Sequence, residues 1–416
     1  MDVKFNPLIL LVAIAVLMFS RCADYTGKII YVNSKASVGG NGTTWDSAFN
    51  SLQEALDTVG RGDEIWVASG IYKPSRKTGG EDDRNKTFHL KKGVALYGGF
   101  SGKETVLDQR NWQDNKVILS GDLNGDDDGF ANNIENCFHV VTGNKTDETA
   151  VFDGFIITAG NADADVWPDD GGGGMNNHEG SPTVRNCTFI GNAAFADGGG
   201  MRNWGKCTSM ISNCTFIRNR AEQEGGGMMN GPGSSPVVTN CIFMGNSTGE
   251  DGGGIYNNES HPIITNCLFR GNSVDLTGGG MYNVNGSTTR VINCTFSRNS
   301  ADKAGGGMSN LRSNPILTNC ILWDDAAPAD PEIHNTDSDP AVTNSNIGGG
   351  YKGSGNIDAD PLFADKDLRL SAESPCVDAG DNTTLPEDVK TDLDNSIRIS
   401  NDIVDLGAYE FKKIDD

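Results

Sequence analysis

The sequence predicts an all-β solenoid, a parallel β-helix of 26 or 27 residues per coil. Glycine triplets begin at Gly172, Gly198, Gly225, Gly252, Gly278 and Gly305, and Asn-Cys pairs at Asn186, Asn213, Asn240, Asn266, Asn293 and Asn319. A fixed period of that size marks stacked units, none of which can bury its apolar face alone. Inside each unit the position three before the Cys is aliphatic, at Val184, Ile211, Val238, Ile264, Val291 and Leu317. The position two after it is Phe189, Phe216, Phe243, Phe269, Phe296 or Leu322. An interval of two keeps Cys and Phe on one face of a strand; an interval of three breaks parity, so the chain turns between aliphatic and Cys.

The Asn before each Cys is the natural corner, because Asn tolerates the left-handed conformation. Two more Asn columns recur, at Asn192, Asn219, Asn246, Asn272 and Asn299, and at Asn177, Asn203, Asn230, Asn257, Asn283 and Asn310. Three Asn-marked corners and a Gly-rich turn predict about three short strands per coil. Coils stacked about 4.8 Å apart place like on like, giving ladders of amides, rings and thiols. A content of 54 glycines and 7% aromatics suits such a turn-rich β architecture.

Taken in chain order, residues 1–22 read as a signal peptide. Its twelve-residue apolar run from Leu8 to Phe19 is short for a membrane span and right for a signal core. Cys22 offers a possible lipidation site, although Arg21 and Phe19 depart from a lipobox. Residues 24–170 are expected to hold a strand at 28–34, an amphipathic capping helix at 47–59 and irregular coils with loops at 73–86 and 121–135. The helix would close the first coil against edge-to-edge aggregation. Regular repeats fill 171–325, and residues 326–416 carry further strand-like segments. Only five residues follow Phe411 in this sequence, so any membrane anchor is expected at the N-terminus or from a partner.

The GGGM and GGGI triplets alternating with FIGN, FIRN, FMGN, FRGN and FSRN resemble the repeats of polymorphic outer membrane proteins. More broadly they resemble the right-handed pectate-lyase-like β-helix superfamily, a resemblance that implies right-handed winding. The stretches IYVNSKASVGGNGTTWDSAFNSLQEALDTVGRGDEIWVASGIYKP and VALYGGFSGKET are similar to the N-terminal cap and first coils of secreted bacterial β-helix proteins. SPCVDAGDN with TDLDNSIRISNDIVDLGAYEF resembles the C-terminal module called choice-of-anchor Q, with Asn395 where that pattern usually has Gly.

A formal net charge of −23 and the lack of a basic cluster argue against nucleic acid as a partner, since phosphate binding needs a positive footprint. Six cysteines fall in one interior column, Cys187, Cys214, Cys241, Cys267, Cys294 and Cys320, and are expected to pack as free thiols. The NCT triplets match a glycosylation sequon, but their Asn is a corner of the repeat.

Two function classes follow. In the first, residues next to the inward Met or Ile face outward, lining up Asn176, Arg202, Met229, Tyr256, Tyr282 and Ser309. Tyr256 and Tyr282, about 5 Å apart on adjacent coils with Trp204 and Arg202 nearby, would make a sugar platform. The chain would then be an exported, bacterial, monomeric cell-surface or extracellular scaffold for binding or adhesion, facing a polysaccharide or surface protein. In the second, implied by the superfamily resemblance, it would be a polysaccharide lyase or related carbohydrate-active enzyme acting on acidic polysaccharide, with an Arg base such as Arg185, Arg202, Arg218 or Arg220 for a lyase. No catalytic signature selects one of them. The loop GDLNGDDDG places Asp122, Asn124, Asp126 and Asp128 at alternating positions, as a Ca²⁺ loop would. Asp127 and Asn133 stand where an EF-hand would need Gly and Glu.

Overall fold

The computed structural model describes residues 27–412; the predicted signal peptide and Cys22 lie outside the described residues. Among the described residues, three long parallel sheets run side by side along one axis. An eleven-stranded sheet extends from Ile29–Val32 to Ala341–Thr343, and a ten-stranded sheet from Gly70–Tyr72 to Asn346–Ile347. The nine-stranded sheet runs from Phe88–His89 to Ile333–Thr336. A fourth, six-stranded ladder of two-residue rungs, from Asn161–Ala162 to Ser300–Ala301, lies beyond the three strands per coil that the sequence predicts. The three long sheets pass without interruption through positions 170/171 and 325/326.

The repeat columns stack in register. Val184, Ile211, Val238, Ile264, Val291 and Leu317 pair in sequence, as do Phe189, Phe216, Phe243, Phe269, Phe296 and Leu322. Successive Phe rings lie 4.3 to 4.9 Å apart and within 5° of parallel. The described cysteines are all buried and free. Each thiol of the column donates to nearby carbonyls: Cys214 Sγ reaches Ser212 O at 3.2 Å and Val184 O, one coil back, at 3.7 Å.

The three Asn columns do two different jobs. Asn186, Asn213, Asn240, Asn266, Asn293 and Asn319 have φ between 50° and 56° and turn the corner, as their sequence position predicts. The other two columns are interior ladders. Asn219 donates from both its main chain and Nδ2 to Asn246 Oδ1, and Asn203, Asn230, Asn257, Asn283 and Asn310 pass amide bonds coil to coil at 2.9 Å. At the second corner the left-handed residue is the preceding one, Gly191, Arg218, Gly245, Gly271 or Arg298.

The glycine triplet has a reason at each place. The first, such as Gly198, sits at φ +64°. A Cβ on the second would lie 2.3 Å from Arg220 O in the case of Gly199, and one on the third 2.4 Å from Gly227 O of the next coil for Gly200. The turn thus packs backbone on backbone.

The N-terminal cap is shorter than the predicted 47–59. The helix covers Leu52–Thr58, capped by Ser51, whose hydroxyl accepts from Glu54 N. Residues before it cannot join, because Phe49 exchanges backbone hydrogen bonds with Tyr31 and Asn33 at the edge of the first strand. The predicted strand 28–34 is Ile29–Val32. After the last coil the chain returns along the outside of the solenoid. Leu368, Ala408 and Tyr409 pack on Leu268, and Leu370, Cys376 and Leu406 pack on Ile321.

Candidate functional site

The outward face of the nine-stranded sheet has the expected register: Arg202, Met229, Tyr256, Tyr282 and Ser309 are paired neighbours. The Tyr256 and Tyr282 rings stack with centroids 5.4 Å apart. The face is nonetheless not an open platform, because Tyr256 is only 5% and Tyr282 7% exposed. The turn before each glycine triplet folds over it. Burial first, and then the charge of Glu224 beside Tyr256 and of Asp251 beside Tyr282, raise both phenols above their ordinary range, Tyr282 to about 12. Trp204 packs on Met229 in the same small cluster and lies over Gly231.

Arg202 is 1% exposed and makes four hydrogen bonds inside the solenoid. Nη1 pairs with Asp170 at 2.7 Å and Asp197 at 3.3 Å, Nη2 donates to Pro168 O at 2.5 Å, and Nε donates to Asn176 Oδ1 at 3.3 Å. It is an internal tie between coils; Arg202, Tyr256 and Tyr282 are buried and Trp204 is half-buried in this packing. Sequence pattern gives the direction of these side chains from the coil but not the turn that covers them.

A large open cavity lies elsewhere, on the corner formed by the Asn-Cys pairs. It is a groove of about 770 Å³. Its floor crosses successive coils at Asp153, Arg185, Asn186, Asn213 and Asn240, with Thr215 and Ile242 beside them. One wall is the loop containing Leu107, Arg110 and Trp112; the other is Leu393 and Asn395 of the returning C-terminal segment. Trp112 is 38% exposed, offering an apolar ring to the groove.

At the loop end, fully buried Asp153 anchors three donors. Arg110 Nη2 lies 2.7 Å and Arg185 Nε 2.6 Å from Oδ2, and Asn186 Nδ2 donates to Oδ1 at 2.8 Å. Arg110 is held between the Tyr97 and Trp112 rings, 5.2 and 5.0 Å from their centroids, so the tryptophan is positioned by the same ion pair. Arg185 keeps its outer edge in the groove, with a side chain 41% exposed.

The corner amides behave differently along the column. Further along, Asn266, Asn293 and Asn319 donate to Thr391 O, Asp405 O and Asp381 O of the C-terminal segment at 2.7 to 3.1 Å. In the groove the equivalent amides of Asn186, Asn213 and Asn240 are uncovered by that segment and line the floor. The sequence identified Arg185 and the Asn column, the latter only as corners. It gave no signal for Trp112, Arg110 and Asp153, which lie in the irregular coils where no column is repeated.

The other arginines read as candidate bases are scattered. Arg218 is an exposed left-handed corner residue, and Arg220 lines a separate cavity of about 230 Å³ with Phe130 and Asn133. In the acidic loop, the alternating set Asp122, Asn124, Asp126 and Asp128 does not converge. The one triad of converging carboxylates among the described residues is Asp122, Asp127 and Glu135, with donor oxygens within 4.8 Å of one another.

A family model and one solved structure agree on the fold. A family model described as a right handed beta helix region matches residues 129–296. The pectate lyase Pel9A superposes with a TM-score of 0.53 at 16% identity, over 93% of this chain and 97% of its own. The pectin methylesterase of Aspergillus niger gives 0.33 at 12% identity, over 80% of this chain and 86% of that one. Among curated proteins no sequence matches this chain. The fold is a right-handed parallel β-helix.

Proposed function

We propose that this right-handed β-helix is an exported, cell-surface or extracellular scaffold that binds carbohydrate, taking a polysaccharide chain along the corner groove. The carrying observation is the row of Asn186, Asn213 and Asn240 between Trp112 and Asn395. Amides recurring once per coil, about 4.8 Å apart, suit a linear polymer of hydroxyls, and an exposed ring at one end suits the apolar face of a sugar. The same amide column already donates to main-chain carbonyls where the folded C-terminal segment lies on it. Export rests on the apolar run from Leu8 to Phe19.

A lyase is the second reading, favoured by the exposed edge of Arg185 in the groove and by the name of the Pel9A neighbour. The ion pair of Arg185 with Asp153 works against its use as a base, since the carboxylate already occupies Nε.

The test is binding of the full chain to immobilised pectin, alginate and xylan, beside an ultraviolet assay for unsaturated uronate products. Trp112→Ala is expected to weaken binding about tenfold, roughly 1.4 kcal/mol, while Tyr256→Phe leaves it unchanged. Undiminished binding by a Trp112→Ala, Asn213→Ala double variant would remove the groove from consideration. Product absorbance that disappears in Arg185→Ala would establish the lyase instead.

A further inference from the structure

The loop from Asp122 to Asn136 is closed at its base by the hydrogen bond from Cys137 N to Gly121 O, at 3.0 Å. Its two ends carry acids that face each other. Asp122 stands at the start and Glu135 at the end, and Asp127 folds back from the middle to join them. All three offer oxygens within 4.8 Å of one another. Calcium binds oxygens at about 2.3–2.6 Å, so donors on opposite sides of one ion stand about 4.6–5.2 Å apart. The triad is of that size.

A second observation is independent of the acids. Asn136 is 1% exposed, its side chain points at the triad with Nδ2 2.8 Å from Asp127 Oδ2, and its Oδ1 has no hydrogen-bond partner. Buried amide oxygens without partners are rare and call for a donor or a cation. Asp127 Oδ1 is also buried without a partner. Turning the Asn136 amide over brings its oxygen to the place where Nδ2 now meets the carboxylate.

The surrounding charge points the same way. The only cation in ion-pair range of the triad among the described residues is Lys73, 3.9 Å from Asp122. Asp122 is already oriented by main-chain donors from Gly125 and Asp126.

We propose that Asp122, Asp127, Glu135 and the amide oxygen of Asn136 form a divalent-cation site, best suited to Ca²⁺, that clips the two ends of this loop together on the solenoid. The donors are all hard oxygens, as Ca²⁺ requires, and they come from three places along one irregular loop, which suits its tolerant geometry more than the strict octahedron of Mg²⁺. The ligand set is not the alternating one that the sequence suggests. Asp126 and Asp128 lie outside it, and Asp127, which fails the EF-hand pattern, lies inside.

Calorimetric titration of the full chain with CaCl₂ after chelator treatment tests this, with limited proteolysis of the loop as a second readout. One site is expected, with affinity tighter than about 1 mM, and calcium should protect the loop from cleavage. Asp127→Asn and Glu135→Gln should each weaken binding about tenfold or more, whereas the Asp126→Asn, Asp128→Asn double variant stays within about threefold of the parent. Absence of both binding and protection in the parent chain overturns the proposal. So does a double variant that loses calcium while Asp127→Asn keeps it.

Discussion

Asn246 shows what one residue contributes to a stack. Its Oδ1 accepts from Asn219 N and Nδ2, and its Nδ2 donates to Phe216 O and Asn272 Oδ1, all at 3.0 Å and away from water. Asn246→Ala strips the partners from buried groups on both neighbouring coils, each orphan costing about 1–3 kcal/mol. A loss of about 3 kcal/mol or more is expected in chemical denaturation. Asn213, an exposed corner at φ 51°, is the control. Gly adopts that conformation freely, so Asn213→Gly should change stability by less than about 0.5 kcal/mol. Equal costs at the two positions would show that the columns do not differ in role. The sequence displays both as the same letter at the same period. Only the fold separates an amide that turns a corner from one that bonds inside it, because the distinction depends on the neighbour one coil of chain away.

At the scale of an element, the Phe column is the strongest test of stacking. Phe243 is fully buried, with Phe216 and Phe269 rings 4.8 and 4.9 Å away on either side. Phe243→Ala opens a cavity that parallel strands locked in register cannot close, and should cost about 3–5 kcal/mol. Phe296→Leu should cost less than about 1.5 kcal/mol, because Leu322 already fills the next place in the column. A comparable loss in both, measured by urea unfolding, would argue that ring stacking and not volume holds the column. Such elements were legible because every coil repeats the same side chain. The two-residue rungs, with pairs as different as Ala193-Ala194 and Ser247-Thr248, carry no common letter, so the fourth ladder was not. The predicted helix ran long because apolar spacing continues through Phe49, which the first strand claims. For the site, the Asn floor repeats and was visible, while Trp112 and its supporting Arg110–Asp153 pair occur once.

For the whole molecule, the question is how an acidic solenoid responds to pH. Several carboxyls distributed along it are raised by burial. Glu224, beneath the turn on the tyrosine face, Glu332, at the end of the amide ladder, and Glu410, in the returning segment, are each pushed up to about 7. Asp325 is raised too, by burial and then by the neighbouring Glu332 charge. It replaces Asn at the end of the interior ladder, where Asn299 donates to its Oδ1 and its Oδ2 has no partner. In the unfolded chain such Glu side chains titrate near about 4.3. Between that pH and about 7 the folded protein holds more protons than the unfolded one, so stability falls as pH rises through this window. The contribution is fully present below the unfolded value and is lost once Glu332 must ionise in place. A net charge of −23 adds self-repulsion in the same direction. The melting temperature should therefore be higher near pH 5 than at pH 8. Glu332→Gln keeps the shape and removes the titration, and should recover about 2–3 kcal/mol of the loss between those pH values. A melting temperature that rises from pH 5 to 8 in the parent, or an unchanged slope in Glu332→Gln, would mean that these carboxyls ionise without cost and that the solenoid opens enough to hydrate them.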